Sequence, residues 1–268
     1  MLQRRETGRG SERAMDDMIF GAPELELLSV KIFADGADRD SILRLARNPL
    51  IRGFTTNPTL MRKAGVRDYK GFALDLLAAI PDRPISFEVF ADELPEIEVQ
   101  AREIASWGPN VNVKIPVTNT RGESCVPAIR ALSESGIVVN ATAVFTLSQV
   151  SEVTAVLAPE TPAIVSVFAG RIADTGVDPM GHMRAAADIM RAKPRAELLW
   201  ASPRELLNIF HADAARCHII TVTQDLLDKL PTVGKDLGEY SLETVRMFYE
   251  DAKSAGYAIE TASSLADA

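Results

Sequence analysis

The stretch Val111-Asn112-Val113-Lys114-Ile115-Pro116 places a lysine in the middle of a short apolar run. The β-branched residues on both sides of Lys114 are typical of a buried strand. Lysine is among the side chains that are least often fully buried, because removing an ammonium group from water is costly. A buried lysine therefore favours its neutral amine form, a nucleophile that attacks carbonyl carbons. A structural role for Lys114, in an ion pair or at the edge of a sheet, stays open at this point.

Short apolar runs alternate with longer amphipathic stretches on both sides of this strand. The apolar runs predict strands over residues 30–34, 51–56, 85–90, 111–115, 137–142, 163–167, 197–201 and 218–222. The stretches with helical spacing predict helices over residues 39–47, 69–80, 94–107, 123–135, 147–157, 180–192, 203–214 and 224–230. A last helix is predicted over residues 241–255, with Ser241 as its N-cap and Gly256 after its end.

This alternation predicts an α/β fold, a single (β/α)8 TIM barrel with an extra C-terminal helix. The alternative is an open, doubly wound sheet, which usually has a Gly-rich phosphate loop after its first strand. The corresponding turn here reads Asp35-Gly36-Ala37-Asp38, without that pattern. We expect an N-terminal extension over residues 1–28, partly disordered, the barrel over 29–230, and a linker, helix and loose tail over 231–268.

The composition of the chain restricts the classes of function. With 268 residues, 47% hydrophobic and 25% charged, it is typical of a globular protein, and its net charge of -8 argues against a broad nucleic-acid surface. No apolar run approaches the roughly 18 residues of a membrane span. Two cysteines are too few for a disulfide framework and favour a reducing, cytoplasmic location. The histidines lack metal-ligand spacing, so no metal site is expected from them: His182, His211 and His218.

Polar residues cluster at the carboxyl ends of the predicted strands, where barrel enzymes carry their chemistry. A core that needed only packing would not place so many polar groups there. They are Asp35, Thr55, Thr56, Asn57, Glu88, Lys114, Asn140, Thr142, Ser166, Arg171, Ser202 and Arg204. Taken singly, some have structural alternatives, since Asp35 and Asn57 are possible helix N-caps and Arg171 is a possible ion-pair partner of Asp174. Their joint placement on one rim favours a functional site.

These residue types fit the attack of an amine on a ketone. Dehydration of the resulting carbinolamine needs proton transfer, for which Glu88 and Thr142 are candidates. Cleavage between C3 and C4 of a ketose needs a base for the C4 hydroxyl, and Asp35 is the candidate. Asn57 and Asn140 are candidates for holding sugar hydroxyls. The guanidinium groups after strands six and seven are suited to a terminal phosphate: Arg171 and Arg204.

Five segments, in this order along the chain, resemble the motifs of the transaldolase family, including its smaller branch related to fructose-6-phosphate aldolase. They are Gly53–Leu60 (GFTTNPTL), Val113–Pro116 (VKIP), Asn140–Phe145 (NATAVF), Ser166–Asp174 (SVFAGRIAD) and Ala201–Arg204 (ASPR). The resemblance covers about residues 31–230, and the first and fourth segments are specific when they occur together.

The resemblance implies a barrel enzyme that needs no cofactor and moves a dihydroxyacetone unit between sugar phosphates. It implies Lys114 as the Schiff-base lysine, Asp35 as the acid/base carboxylate, and Glu88 and Thr142 as the pair around the catalytic water. It implies a set of substrate-binding residues (Thr55, Asn57, Asn140 and Ser166) and a phosphate site (Arg171, Ser202 and Arg204). We expect sugar phosphates as partners, neither nucleic acid nor membrane, and a homo-oligomer.

The chain also departs from the family pattern. The family often reads Ser-Pro-Phe-Val-Gly-Arg where residues 166–171 read SVFAGR, and Ser-Phe-Arg where residues 202–204 read SPR. The acceptor sugar and its pathway, central or specialised, therefore stay open. Glu88 with Asn140 and Arg204 favours a transferase over the simple aldolase, in which the glutamate position is often a glutamine. An aldolase that releases dihydroxyacetone and a non-catalytic sugar-phosphate-binding barrel remain the alternatives.

Overall fold

A computed structural model describes residues 25–259, in which eight parallel strands close into a barrel. The strands pair in chain order and β1 bonds to both β2 and β8, which confirms the predicted (β/α)8 barrel and rules out the open sheet. The strands are β1 (Lys31–Asp35), β2 (Ile51–Thr55), β3 (Ile85–Glu88), β4 (Val111–Pro116), β5 (Val139–Val144), β6 (Ala163–Val167), β7 (Ala196–Trp200) and β8 (Ile219–Thr223).

Helices separate the strands and form the outer layer. They are α1 (Arg39–Leu45), α2 (Pro58–Lys63), α3 (Tyr69–Ala79), α4 (Leu94–Ala105), α5 (Val126–Glu134), α6 (Leu147–Val156), α7 (Ala169–Asp174), α8 (Pro179–Met190), α9 (Asn208–Ala214) and α10 (Gln224–Leu227), with short 3₁₀ turns at Leu25–Leu27 and Leu230–Thr232. Neither α2 nor α7 was predicted from the sequence. For α2 a signal was present, because Asn57 caps the helix and Pro58 occupies its first turn.

The barrel lies within a compact unit of residues Leu25–Leu230, and the described residues from Pro231 onward belong to a second unit. This second unit contains α11 (Leu237–Ser254), the extra helix that the sequence predicted. Its N-cap is Asp236, which accepts a 2.9 Å hydrogen bond from the Glu239 N–H, so the prediction of Ser241 as cap was wrong. Gly256 follows the helix end with φ of +68°, as predicted. The predictions of partial disorder in the N-terminal extension and of a loose tail cannot be compared with the structure over residues 1–24 and 260–268, which lie outside the described residues.

Alternate residues of each strand point to opposite faces and therefore fill two separate cores. Ile32 and Ala34 of β1 belong to the large cluster between strands and helices, whereas Phe33 packs inside the barrel. Gly53 of β2 makes room for this ring, since a Cβ atom there would lie 2.5 Å from Phe33 Cζ. Asp35, two residues after Phe33, lies on the same inward face, one layer nearer the carboxyl end.

The loop after β7 explains one further error. The sequence predicted a helix from Pro203, but α9 begins at Asn208. Ser202 has a φ of +56°, and a Cβ atom on Gly170 would lie only 1.5 Å from the Ser202 carbonyl oxygen. This close approach to α7 fixes the loop, so the chain cannot start a helix at Pro203. The Asn208 side chain then accepts a 2.7 Å hydrogen bond from the Arg204 N–H and ends the loop.

Candidate active site

A cavity of about 390 Å³ opens at the carboxyl ends of the strands. Of the polar residues predicted at the strand ends, all except Thr56 and Arg204 line it: Asp35, Thr55, Asn57, Glu88, Lys114, Asn140, Thr142, Ser166, Arg171 and Ser202. No helix among residues 25–259 has the length and apolar character to cross a membrane.

Lys114 lies at the centre of the cavity floor because of strand register. Glu88, Lys114 and Asn140 are register partners on β3, β4 and β5, so their side chains share the inward face. Lys114 Nζ lies 3.1 Å from Glu88 Oε2 and donates a 2.7 Å hydrogen bond to the Thr56 carbonyl oxygen. The Lys114 side chain is only 9% exposed and that of Glu88 19%, so the amino group is held in a largely dry, polar setting.

Asp35 supplies a second carboxylate to the same cavity. Its two oxygens accept hydrogen bonds from Thr55 Oγ1 at 2.8 Å and from Asn57 Nδ2 at 3.3 Å. Burial raises the pKa of Asp35, although Lys114 and these two hydrogen bonds act in the opposite direction. Asn57 also caps α2 by accepting from the Leu60 N–H at 3.0 Å, so the suggested cap is confirmed, and its role in binding stays a prediction. Asp35 itself caps no helix.

An amide and two hydroxyls form a fixed network beside Lys114. Asn140 Nδ2 donates to Ser86 Oγ at 3.2 Å, and Ser166 Oγ donates to Asn140 Oδ1 at 2.6 Å. All three side chains are buried, so the network holds the Asn140 amide in place between two hydroxyls in the wall of the cavity.

A β-bulge shapes the rim at Thr142. The register between β5 and β6 shifts between Ala141 and Val144, and Ala143 has a φ of +57°. Bulges of this kind occur next to active sites, where they redirect a side chain. Both Thr142 and Ala143 line the cavity as a result.

The two arginines predicted for a phosphate site differ in their surroundings. Arg171 lines the cavity, its guanidinium stands 5.2 Å from the Phe168 ring centroid, and within residues 25–259 it forms no ion pair. Arg204 instead donates from Nε to Asp174 at 3.0 Å and from Nη2 to the same carboxylate. The suggested pairing of Arg171 with Asp174 was therefore wrong, because Arg204 takes that partner. The structure does not bring Arg204 to the cavity lining, and its phosphate role stays a prediction.

Several lining groups were not among the predicted site residues. Thr221 and Thr223 of β8 line the cavity, and the Thr221 hydroxyl is hydrogen-bonded to that of Thr55. Their position at the carboxyl end of the last strand was an available signal. Phe168 also lines the cavity. Thr56, which was predicted at the rim, does not line the cavity; it contributes its backbone carbonyl oxygen, which accepts from Lys114 and for which side-chain chemistry gives no signal.

The described residues contain no group of three or more His, Cys, Asp or Glu side chains suited to a metal ion. His218 has a structural contact, since its Nδ1 accepts a 3.0 Å hydrogen bond from the Leu198 N–H. Cys125 and Cys217 are both free and buried, and burial raises the pKa of the Cys125 thiol to about 11 and that of Cys217 to about 12. Neither cysteine lines the cavity.

Comparison with known proteins agrees with this geometry. The family model described as Transaldolase/Fructose-6-phosphate aldolase matches residues 32–264. The chain belongs to this family. A protein of Streptococcus agalactiae named "Probable transaldolase" is 37% identical over 194 residues, which cover 72% of this chain and 86% of that protein. A protein of the same name from Herpetosiphon aurantiacus is 32% identical over 228 residues, covering 84% and 97% of the two chains.

Solved structures of other enzymes share the fold of this transaldolase-family chain. A crystal structure of 2,3-dimethylmalate lyase aligns with a TM-score of 0.51 and 15% identity, covering 92% of each chain. At this level of identity the likeness concerns the barrel alone, and fold does not determine function.

Proposed function

We propose that the chain is a transaldolase, which transfers a dihydroxyacetone unit from a ketose phosphate to an aldose phosphate through a Schiff base on Lys114. One observation carries the proposal. The buried Lys114 amino group lies 3.1 Å from the Glu88 carboxylate, in a cavity that a second carboxylate, Asp35, also lines. Schiff-base chemistry needs a nucleophilic amine with proton carriers beside it.

In the first stage, Lys114 passes a proton to the neighbouring Glu88 carboxylate, and the neutral amine attacks the C2 carbonyl carbon of the ketose phosphate. The adduct nitrogen then passes a second proton, through a water near Thr142, to the former carbonyl oxygen, which gives a neutral carbinolamine. The protonated Glu88 gives its proton to the departing hydroxyl through the same water. Loss of water leaves an iminium ion on Lys114.

In the second stage, Asp35 removes the proton from the C4 hydroxyl. The C3–C4 bond breaks, its electron pair moves into the iminium to form an enamine, and the aldose phosphate leaves. The enamine carbon then attacks the acceptor aldehyde, and Asp35 returns its proton to the new alkoxide. Burial raises the pKa of Asp35, which suits a carboxylate that alternately takes and gives a proton. Hydrolysis of the new iminium releases the product.

The remaining cavity residues are suited to binding. Thr55, Asn57, Asn140 and Ser166 offer hydroxyl and amide groups to the sugar, and Arg171 at the rim offers a guanidinium to its phosphate. Charge-assisted bonds of this type contribute about 1.5–3 kcal/mol each. Arg204 would have to break its ion pair with Asp174 before it could bind the phosphate.

Product analysis with and without an acceptor tests the proposal. Fructose 6-phosphate is incubated alone, with erythrose 4-phosphate, and with other aldose phosphates, and free dihydroxyacetone and new ketose phosphates are measured. We expect a new ketose phosphate only in the presence of acceptor, and none from Lys114→Met. Release of free dihydroxyacetone at the same rate with and without acceptor would identify an aldolase instead. A wild type that binds fructose 6-phosphate but forms neither product would identify a non-catalytic barrel.

A further inference from the structure

The backbone of Glu88 lies where the sheet loses its regular pairing. The ladder between β2 and β3 runs from Phe54 N to the Pro84 carbonyl oxygen at 2.9 Å and from Thr56 N to the Ser86 carbonyl oxygen at 3.2 Å. In a parallel pair of strands, successive hydrogen bonds of this ladder are two residues apart on each strand. The next bond would therefore run from the N–H of residue 58 to the Glu88 carbonyl oxygen. That residue is proline, which has no N–H.

The Glu88 N–H has lost its regular partner as well. In a regular ladder the Glu88 N–H would donate to the Thr56 carbonyl oxygen. Here that oxygen accepts from Lys114 Nζ at 2.7 Å instead. The buried lysine has thus taken the strand partner of the residue that faces it. An unpaired backbone group at a partly buried position is costly, so both groups of Glu88 need substitutes.

Tyr69 of α3 supplies both substitutes with one hydroxyl. It donates to the Glu88 carbonyl oxygen at 2.9 Å and accepts from the Glu88 N–H at 2.7 Å. Its ring packs among Phe87, Phe90 and Trp107, with centroid distances of 6.1, 4.6 and 5.4 Å, so its position is fixed by aromatic contacts. Burial raises the pKa of Tyr69, so the hydroxyl keeps its proton at neutral pH.

We propose that Tyr69 is a positioning residue that replaces the missing strand partner of Glu88 and thereby holds the Glu88 carboxylate against Lys114. The inference rests on the proposed function, because it concerns the proton carrier of the Schiff-base step. Tyr69 does not itself line the cavity and reaches it only through the backbone of Glu88, so its effect passes through Glu88.

The test is a double-mutant cycle with Tyr69→Phe and Glu88→Gln, measured as kcat and KM for transfer from fructose 6-phosphate. The phenylalanine ring keeps the aromatic packing and removes only the hydroxyl. We expect Y69F to lower kcat about tenfold with KM changed less than about twofold, since proton transfer is disturbed and sugar binding is not. In the E88Q background Y69F should lower kcat less than about twofold, because the group that it positions has lost its role.

Two further variants separate positioning from stability. Ser133→Ala removes another buried hydroxyl that bonds a backbone group, the Ala158 N–H at 2.9 Å, and Ser133 does not line the cavity. It should lower Tm about as much as Y69F and leave kcat unchanged. Replacing Tyr69 with 4-aminophenylalanine restores a donor on the same ring and should recover most of the kcat lost in Y69F, even where Y69F folds poorly.

Wild-type kcat in Y69F, or an equal loss in the wild-type and E88Q backgrounds, would overturn the inference alone. Failure of the 4-aminophenylalanine variant to exceed Y69F would also count against it. A wild type that forms no transfer product would instead overturn the proposed function, and this inference with it.

Discussion

Two lysine–glutamate pairs lie at opposite ends of the barrel and differ in everything except their residue types. At the amino end, Lys31 Nζ reaches both oxygens of Glu197, 2.6 Å from Oε2, and the two side chains are 38% and 33% exposed. At the carboxyl end, Lys114 and Glu88 are 9% and 19% exposed and share a single 3.1 Å contact. The first lysine is satisfied by its glutamate, whereas the second divides its bonds between a carboxylate and a backbone carbonyl.

The difference shows that the setting of a lysine, more than its pairing, determines what it is suited to do. Around Lys114 stand a further carboxylate of raised pKa, Asp35, and the amide of Asn140. A half-exposed pair such as Lys31–Glu197 contributes about 0–1 kcal/mol to stability and keeps its lysine hydrated. Lys114 is largely buried, close to proton carriers and open to a cavity, which are conditions that suit the formation of a Schiff base.

The largest expected difference between the two ends is in activity. Lys114→Met should lower kcat/KM for transaldolase activity by about 10⁴-fold or more, because it removes the nucleophile. The matched control Lys31→Met should retain activity within about threefold. Steady-state assays with fructose 6-phosphate and an acceptor measure both. A comparable loss of kcat/KM in the two variants would contradict the assignment of different roles to the two lysines.

The pH dependence of activity tests the role of Asp35. Because its pKa is raised and its base form is the active one, kcat/KM should fall as the pH decreases, with a midpoint above the usual carboxyl value of about 3.9. Asp35→Asn should lower kcat by about 10²–10⁴-fold and abolish this acid limb. Glu197→Gln at the other end should leave the profile unchanged. If kcat/KM of Asp35→Asn still falls as the pH decreases, a group other than Asp35 causes this fall.

The same Asp35 substitution should affect stability with a definite sign. A carboxyl whose folded pKa is raised destabilises the fold once the pH exceeds its unfolded value, and the cost is complete above the folded value. Asp35→Asn should therefore unfold at a higher urea concentration than wild type at pH 7. The difference in stability between Asp35→Asn and wild type should disappear below about pH 3.9, the usual aspartate pKa. Equal urea midpoints at pH 7 would contradict the assigned direction.

A smaller effect is expected from the two arginines on the rim. Arg171→Gln should raise KM for phosphorylated sugars about 10- to 100-fold, because a cavity-lining guanidinium is removed. Arg204→Gln should raise it less, since this side chain is bound to Asp174. Parallel assays with a phosphorylated and an unphosphorylated donor separate phosphate binding from other losses. A larger effect for Arg204→Gln would show that it exchanges Asp174 for the phosphate.

The smallest effect concerns the stability of the two pairs. Lys31→Met should change the free energy of unfolding by at most about 1 kcal/mol. Replacing the buried pair by Lys114→Met with Glu88→Leu should be neutral or should raise stability by about 1–4 kcal/mol, because two partly desolvated charges are removed together. Urea unfolding measures both. A clear loss of stability in the double variant would mean that this pair serves the fold.

The sequence was sufficient for the barrel because its strands are apolar runs bounded by clear turn residues. It failed where tertiary contacts decide the local structure. Helix α7 has six residues, too few for a periodic pattern, and the start of α9 depends on the approach of the Ser202 carbonyl to Gly170.

Most of the candidate site followed from one rule, that polar side chains at the carboxyl ends of barrel strands face one cavity. The rule does not predict backbone groups or side chains that come from helices and loops. Thr56 acts through its carbonyl oxygen, and Tyr69 reaches Glu88 from a helix whose apolar spacing indicates only packing. Arg204, in the loop after β7, bonds Asp174 at the end of α7, a contact that the spacing in the sequence does not reveal.

The most direct test of the central claim is borohydride trapping with fructose 6-phosphate, followed by peptide mass analysis. Reduction converts an iminium into a stable adduct on the lysine that formed it. We expect an adduct derived from the donor on the peptide that contains Lys114, none on the peptide with Lys31, and none in Lys114→Met. No adduct under turnover conditions, or an adduct on another lysine, would contradict the account.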